Sequence, residues 1–281
     1  MRTSTPWERH ARQWSRIGPP LRPSPEDVAV AEATLGAWGA TTGRGDPRVL
    51  VLGVTPELCS LATLPRMQTI AIDRSMDMIR AIWPGALHAG DSVACGDWRR
   101  LPLIDRSVDV VLSDGCLSTL PYPAGYVEVS MELRRVLAED GHCVARCFVQ
   151  AEAPERIGDV LRDLADGRIG SFHALKWRLA MALQQDPENG VVLARVWEAL
   201  NDAEPDLAAL SRRCDWPLDV VQTIDAYRAV GARYSFPSLD ALCGLFGEAG
   251  FAVLDVVRPG YELGERCPIV VLAPSEHRGR T

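Results

Sequence analysis

The chain has 281 residues, 47% hydrophobic and 24% charged, which suits one elaborated globular domain or one domain with a smaller insertion. Its formal net charge of −7 disfavours general nucleic-acid binding, because nucleic-acid-binding proteins usually present a basic face. The eight cysteines include no CxxC pair, and no His/Cys cluster has zinc spacing, so we expect free thiols and no metal site.

Nothing in the sequence indicates export or membrane insertion. The N-terminal segment MRTSTPWERHARQWSRIGPP lacks the apolar core of a signal peptide. No run approaches the roughly 18 apolar residues that a transmembrane helix needs. We therefore expect a cytoplasmic protein with a small-molecule substrate and neither nucleic acid nor a membrane as partner. Both a monomer and a homodimer remain open.

Residues 1–45 predict a helical arm. Trp7, Ala11, Trp14 and Ile17 share one stripe of a helix over residues 6–17. A proline-rich segment breaks that helix, and a second one begins at Ser24 or Pro25 with acids in its first turn.

Strands and helices alternate from residue 46 onward. Strands are predicted at 48–53, 68–72, 93–96, 108–113 and 142–149, and helices at 56–63, 75–83 and 122–138. Val/Leu/Ile-rich strands that alternate with helices indicate a parallel sheet covered on both faces. We expect Gly141 to close the helix that ends in ELRRVLAEDG, as a glycine just past a helix end does.

The pattern changes at residue 151. Amphipathic helical pieces, punctuated by Pro and Gly, fill residues 151–236 without a convincing strand. A helix closed by Gly250 and two final strands, in FAVLDVVRPG and CPIVVLAP, then follow. This organisation predicts a Rossmann-like cofactor-binding domain formed by residues 46–150 and 237–281. The all-helical insertion would cap it and shape the substrate pocket.

Chemistry-bearing residues gather where the predicted strands end. RVLVLGVTPE turns from a strand into a helix at Gly53, and Asp73 ends the next strand 20 residues later. Such a βαβ unit suits a nucleotide-like ligand, because the glycine admits the ligand to the backbone and the acid binds a ribose. Asp97 and Asp114 follow two further strands, each beside a glycine.

The motifs VLVLGVTPE, AIDRSMDMI, GDWRRLPLIDRSVDVVLSDG and ELRRVLAEDGHCVARCF resemble those of class I S-adenosylmethionine-dependent methyltransferases. The resemblance covers about residues 46–150 and 237–273. It implies an α/β, Rossmann-like, seven-stranded sheet, mostly parallel with the last strand antiparallel, and S-adenosyl-L-methionine as cofactor.

The resemblance also implies a set of cofactor contacts. Gly53 would lie under the methionine moiety, Asp73 would bind the ribose hydroxyls, and Asp97 with Trp98 would flank the adenine. Asp114 would face the amino group of the cofactor, or the substrate. The other cofactor contacts expected at these strand ends are Val54, Thr55, Glu57, Arg74, Met76 and Gly115.

The first loop departs from the family pattern acid-x-Gly-x-Gly-x-Gly, because Val51, Thr55 and Glu57 occupy three of its four positions. Either a hydroxyl and a carboxylate contact the cofactor, or the cofactor lies slightly differently, or it is not bound. Glu57 could serve the helix dipole or the cofactor ammonium. A nicotinamide dehydrogenase is disfavoured, because a pyrophosphate needs close backbone approach and is repelled by a carboxylate.

The substrate-side candidates are less specific. His173 could be a base near neutral pH or a packed histidine, and Trp177, four residues on, a pocket wall or a core residue. Tyr234 could face the substrate or pack in the core. Asp114, His173 and Tyr234 are thus the catalytic candidates.

Four further candidates for substrate contacts lie outside the insertion: Trp14 and Arg22 in the arm, and Ser118 and Tyr122 after the fourth strand. Arg22, held among prolines, could pair with a carboxylate or remain solvated. Cys116 lies beside Asp114, but nothing nearby in sequence would lower the pKa of its thiol.

The function that these features favour is methyl transfer to a nitrogen, oxygen or sulfur of a small metabolite. A general base is needed only for a nucleophile that is protonated at neutral pH. Two alternatives stay open: non-methyl chemistry of the same cofactor, by cyclisation or aminocarboxypropyl transfer, and a non-catalytic cofactor-binding module.

Overall fold

The structure is a computed structural model that describes residues 11–275. The helix expected at 6–17 therefore lies partly outside the described residues, and so does Trp7. Trp14–Arg16 forms a 3-10 turn, and helix α1 (Pro25–Thr42) follows. Ser24 caps α1: its hydroxyl accepts from the Asp27 amide, and the Asp27 carboxylate accepts from the Ser24 amide.

Seven strands form one sheet, and two further strands form a short pair. The strands are β1 (Arg48–Leu52), β2 (Gln68–Asp73), β3 (Ser92–Cys95), β4 (Val108–Asp114), β5 (Leu137–Arg146), β6 (Val191–Val192), β7 (Arg233–Tyr234), β8 (Phe251–Val257) and β9 (Ile269–Pro274). The large sheet has the order β3-β2-β1-β4-β5-β9-β8, and β9 runs antiparallel to both neighbours. The predicted fold class is confirmed.

Helices cover both faces of this sheet. The helices that follow α1, those of the helical region included, are α2 (Pro56–Cys59), α3 (Met76–Ile82), α4 (Ala124–Val136), α5 (Ile157–Ala165), α6 (Phe172–Leu183), α7 (Leu193–Ala203), α8 (Leu207–Cys214), α9 (Leu218–Val221) and α10 (Leu239–Glu248). Trp38 of α1 packs in one core with Val49 and Val51. Leu50 and Leu52 of the same strand pack in another core with residues of α4 and α10. Because β1 is covered on both sides, its residues form a continuous apolar run rather than an alternating one.

The expectation for Gly141 is wrong. Helix α4 ends at Val136, and β5 begins at the next residue, so Gly141 lies inside a strand. A Cβ at this position would lie 2.7 Å from the carbonyl oxygen of Asp109. The glycine is needed for close approach of β5 to β4, beside an irregularity in their pairing, and not for a helix cap.

Residues 151–236 contain the helices α5 to α9 and a 3-10 segment, Gln222–Tyr227, around a separate apolar core. The pair β6–β7 joins Val191 to Tyr234 and is too short to give an alternating pattern in the sequence. This helical region contacts the sheet domain where β4 and β5 end: the Ser235 amide donates to the Ser118 carbonyl at 3.0 Å. Among the helices of residues 11–275, none has the length and apolarity to cross a membrane.

Candidate functional site

Gly53 and Asp73 face each other at the ends of β1 and β2. Gly53 has φ +91°, a conformation that favours glycine, and its amide donates to the Ile72 carbonyl at 2.7 Å. A Cβ at Gly53 would lie 3.7 Å from Asp73 Oδ2. The other carboxylate oxygen, Oδ1, accepts from the Ser75 amide at 2.7 Å. Burial raises the pKa of Asp73, and the Ser75 hydrogen bond opposes that rise.

Asp97 and Trp98 have different surroundings although they are neighbours in sequence. The Trp98 indole Nε1 donates to the Ile72 carbonyl at 2.6 Å, which fixes the buried ring beside the end of β2. The half-buried Asp97 is held by Arg99, whose Nη2 lies 2.6 Å from Oδ2. Hydrogen bonds from Arg99 lower the pKa of Asp97 to about 2.

Asp114, at the end of β4, is paired with Arg146 at the end of β5. Arg146 Nε donates to Asp114 Oδ1 at 2.6 Å, and both side chains are buried. Burial alone would lower the pKa of Arg146, but the attraction of Asp114 raises it. Gly115 has φ +62°, and a Cβ there would lie only 2.4 Å from the Phe148 ring, so glycine is required.

Arg146 is a site residue that the sequence reasoning missed. Its Nη1 donates to the Pro20 carbonyl at 2.7 Å and to the Tyr261 hydroxyl at 3.2 Å. Tyr261 in turn donates to Asp27 at 3.1 Å. A signal was available, since Arg146 is the one charged residue in the apolar run HCVARCFV.

Arg22 pairs with a carboxylate of the chain itself, that of Glu57 at the first turn of α2. Its guanidinium also lies over the Trp14 ring, 5.3 Å from the centroid. The second carboxylate oxygen of Glu57, Oε2, is buried and accepts no hydrogen bond from the described residues. The arm and the first loop are therefore joined, and one acceptor atom beside them is unsatisfied.

A cavity of about 110 Å³ lies between these strand ends and the helical region. The predicted residues that line it are Trp14, Gly53, Val54, Thr55, Asp73, Trp98, Asp114, Gly115, Ser118, Trp177 and Tyr234. Leu21, Met78, Phe148 and Tyr227 also line it and were not among the predicted contacts. The structure thus brings together most of the expected residues.

Several predicted contacts do not line this cavity. Met76 is 42% exposed, whereas Met78, two residues further along α3, is buried and faces the cavity. Tyr122 packs edge-on against Tyr126, with ring centroids 5.2 Å apart. Arg74 lines a second cavity instead. Asp97, Glu57 and Arg22 do not line the smaller cavity either, and each is engaged in an ion pair described above.

His173 is not positioned to act as a base in either of these cavities. Its buried ring contacts the Arg16 carbonyl through Nε2 at 2.9 Å, so it faces the arm. Burial, and next the charge of Lys176, lower the pKa of His173 to about 4. The ring is therefore neutral at pH 7 and serves to hold the arm.

Trp177 and Tyr234 are both core residues and cavity walls. Trp177 packs edge-to-face on Phe148, Tyr234 and Phe236 at 5.0, 5.6 and 5.5 Å between centroids. Burial raises the pKa of Tyr234 to about 12, so its phenol stays protonated at neutral pH. Burial likewise raises the pKa of the Cys116 thiol to about 12, which makes it a poor nucleophile.

The second cavity, of about 490 Å³, adjoins the first. Thr119, Tyr227 and Tyr234 line both cavities. Within residues 11–275 no group of three or more His, Cys, Asp or Glu side chains could hold a metal ion. The site therefore consists of two adjoining cavities at the carboxyl ends of the strands.

Comparison with known proteins identifies the sheet domain. A family model described as a methyltransferase domain matches residues 52–145, from the end of β1 to β5. This stretch contains Gly53, Asp73, Trp98 and Asp114. Residues 52–145 therefore match a methyltransferase domain, and the strand order of the sheet is the one expected for the class I S-adenosylmethionine-dependent methyltransferase fold. The search of curated proteins found no match to this sequence.

Several solved structures resemble this chain in fold. The CcbJ methyltransferase of Streptomyces caelestis is 14% identical, with 97% of this chain and 99% of that chain covered and a TM-score of 0.56. A Rhodobacter sphaeroides protein named as a Zn-dependent alcohol dehydrogenase is 13% identical, with 95% of this chain and 98% of that chain covered and a TM-score of 0.58. The PH0226 protein of Pyrococcus horikoshii is 16% identical, with 94% of this chain and 99% of that chain covered and a TM-score of 0.52. At these identities the likeness concerns the fold alone.

Proposed function

We propose that this protein binds S-adenosyl-L-methionine in the smaller cavity and transfers its methyl group to a small molecule. One observation carries the proposal: Gly53, the Asp73 carboxylate and the Trp98 ring, from three neighbouring strand ends, line a single cavity that adjoins a larger one. Ligands of open α/β sheets bind at this edge.

The residues present fit the cofactor. The buried Asp73 carboxylate would accept hydrogen bonds from the ribose hydroxyls, and Trp98 would form an apolar wall for the adenine. The absent loop glycines are then less important, since this cofactor has no pyrophosphate to cradle.

Binding requires movement of the arm. A cavity of about 110 Å³ is smaller than the roughly 300–1,000 Å³ typical of ligand pockets. Trp14 and Leu21 of the arm form part of its wall. We infer that these two side chains move outward when the cofactor enters and then cover it.

The chain contributes to methyl transfer mainly by positioning the reacting atoms and excluding water, and less by transferring a proton. S-adenosylmethionine supplies a methyl group that its sulfonium charge already activates. The walls shared by the two cavities would hold an acceptor atom in line, in a site closed to water by the arm and the helical region. The Tyr234 phenol remains protonated, so it donates a hydrogen bond to the acceptor and does not deprotonate it.

Titration calorimetry with S-adenosylmethionine and S-adenosylhomocysteine tests the proposal. We expect one site per chain, and at least about tenfold weaker binding in Asp73→Ala, because hydrogen bonds to a charged group are worth about 1.5–3 kcal/mol. Asp73→Asn, which keeps the shape, should also bind more weakly. The exposed Asp140→Ala is the matched control.

The result that contradicts the proposal is absence of binding by either ligand in the folded protein, or equal affinity in Asp73→Ala and the parent. Mass spectrometry of turnover mixtures then identifies the by-product. S-adenosylhomocysteine is expected; methylthioadenosine would exclude methyl transfer.

A further inference from the structure

We propose that the larger cavity binds the methyl acceptor, and that it selects an uncharged, mainly apolar molecule with a ring system. This inference rests on the proposed function, because it takes the smaller cavity as the cofactor site.

The position of the cavity supports an acceptor rather than a second cofactor. Thr119, Tyr227 and Tyr234 form a wall common to both cavities, so a molecule in the larger one can reach the end of the smaller one. Tyr234 belongs to β7, and Thr119 follows β4, so the two cavities meet where the helical region contacts the sheet.

The inner part of the cavity is apolar. Leu120, Leu193 and Val230 line it and are 4%, 4% and 2% exposed. The rings of Tyr227 and Tyr234 complete this region, and burial raises the pKa of both phenols, so neither carries a charge at neutral pH. A charged group placed among these side chains would lose its hydration without gaining an ionic partner. The part of the acceptor that reaches the cofactor must therefore be uncharged.

Charged side chains lie only at the exposed mouth of the cavity. Arg74, Glu188 and Arg233 line it there, and all three are exposed. They can meet a polar end of the ligand without being desolvated. The volume of about 490 Å³ falls within the roughly 300–1,000 Å³ that holds a drug-sized ligand. Two tyrosine rings in the wall favour a flat ring system, which packs on aromatic faces and edges.

Two dyes with the same rings and different charge test this selection. N-phenyl-1-naphthylamine is uncharged, and 8-anilinonaphthalene-1-sulfonate adds one sulfonate to that skeleton. Fluorescence titrations use the full chain saturated with S-adenosylhomocysteine. We expect the uncharged dye to bind at one site per chain, at least about tenfold more tightly than the sulfonate.

A cavity-filling variant tests whether the dye binds in the larger cavity. Gly231 lines the cavity, and a Cβ there would meet no heavy atom within 4 Å, so Gly231→Trp introduces a ring without a backbone clash. It should weaken binding of the uncharged dye at least about tenfold and leave S-adenosylhomocysteine binding unchanged. Gly158→Trp, an exposed position of α5 with equally open space, is the matched control. Ala232→Phe is a second filling variant, for use if Gly231→Trp folds poorly.

The outcomes separate the two proposals. If S-adenosylhomocysteine binds and the uncharged dye does not, or if filling the cavity leaves dye binding unchanged, the acceptor inference alone is overturned. Equal or tighter binding of the sulfonate, lost in Gly231→Trp, also overturns it, because the cavity would then prefer an anion. If S-adenosylhomocysteine does not bind, the proposed function fails, and the acceptor role fails with it.

Discussion

The buried Lys176 is the side chain whose environment is least expected from its chemistry. It is the only lysine of the chain and is 2% exposed. Its Nζ donates to the Thr223 hydroxyl at 3.0 Å and lies over the rings of Phe172 and Tyr227, at 5.6 and 5.4 Å. Within residues 11–275 it forms no ion pair. Burial therefore lowers the pKa of Lys176 to about 7.

Replacing Lys176 with Met should stabilise the protein. An unfolded chain binds the lysine proton below about pH 10.5, whereas the folded chain releases it above about pH 7, so stability of the parent rises with pH across that window. Lys176→Met should remove this rise and increase the free energy of unfolding at pH 7 by about 2–4 kcal/mol. Urea unfolding at several pH values measures both effects.

The control for this substitution is the exposed Arg195→Met, whose ion pair with Glu198 lies at the surface. It should change stability by no more than about 0.5 kcal/mol. If Lys176→Met is destabilised, or if it keeps the pH dependence of the parent, the prediction is wrong. The charged lysine would then stabilise the folded protein.

Among the structural elements, the N-terminal arm is the segment whose contacts govern access of a ligand to the smaller cavity. Three partly or fully buried polar contacts hold it over the smaller cavity: Arg22 to Glu57, Arg146 to the Pro20 carbonyl, and His173 to the Arg16 carbonyl. A fourth contact, the exposed pair of Arg16 with Asp219, lies at the surface. Two of the three buried contacts use backbone carbonyls of the arm, so among these three the Arg22–Glu57 pair is the one that a change of an arm side chain removes. The arm is thus attached to β5, α2 and α6 at once.

Removing Arg22 should make the arm open more often. The pair is partly exposed, with side chains 26% and 20% accessible, and is worth about 1 kcal/mol. In Arg22→Ala we expect S-adenosylhomocysteine to associate and dissociate about 3–5-fold faster. Stopped-flow tryptophan fluorescence can follow this, because Trp14, Trp98 and Trp177 line the cavity.

Arg16→Ala is the matched control within the same arm. Its side chain pairs with Asp219 at the surface, and its carbonyl is unaffected by the change. Unchanged rates are expected there. Parent-like rates in Arg22→Ala would indicate that the arm does not limit entry.

An ion-pair cluster joins the helical region to the sheet domain and so links the two parts of the molecule. The Glu155 carboxylate accepts from Arg178 of α6 and from Arg266, three residues before β9, at 2.7 Å for the latter. Both arginine side chains are about nine-tenths buried. Glu155 lies at the start of the segment that leads into α5, so the cluster secures the boundary of the predicted insertion.

Glu155→Ala should loosen this boundary. It leaves two poorly hydrated arginines without their shared partner, which should cost about 2 kcal/mol of unfolding free energy. Urea unfolding gives the loss, and hydrogen exchange should show it concentrated in α5 and α6. Asp159→Ala, which removes an exposed pair with Arg162, should have almost no effect. Equal stability of the two variants would contradict a bridging role.

The free thiols expected from the cysteine spacing are observed for all eight cysteines, five of which are buried. The cytoplasmic location, the partners and the domain boundaries inferred from the sequence stay predictions. The strand ends could be predicted from the sequence, because apolar runs that alternate with helical patterns are local properties of the chain. The parallel arrangement of the strands then brings Gly53 and Asp73 to one edge of the sheet.

The direction of each side chain and its partners distant in sequence could not be predicted in this way. Asp97 and Trp98 are adjacent, yet one is held by Arg99 and the other lines the cavity. Met78 rather than Met76 faces inward, because the rotation of α3 on the sheet is set by packing.

Local patterns in the sequence are therefore enough to predict a glycine and an acid at neighbouring strand ends, and a resemblance to a family whose sheet places them together. Which charged side chains remain available to a ligand depends on the tertiary structure. Glu57 is paired by Arg22, and Asp114 by Arg146, across 35 and 32 residues of chain. Such pairs depend on how the arm and β5 pack on the sheet, which no local pattern encodes.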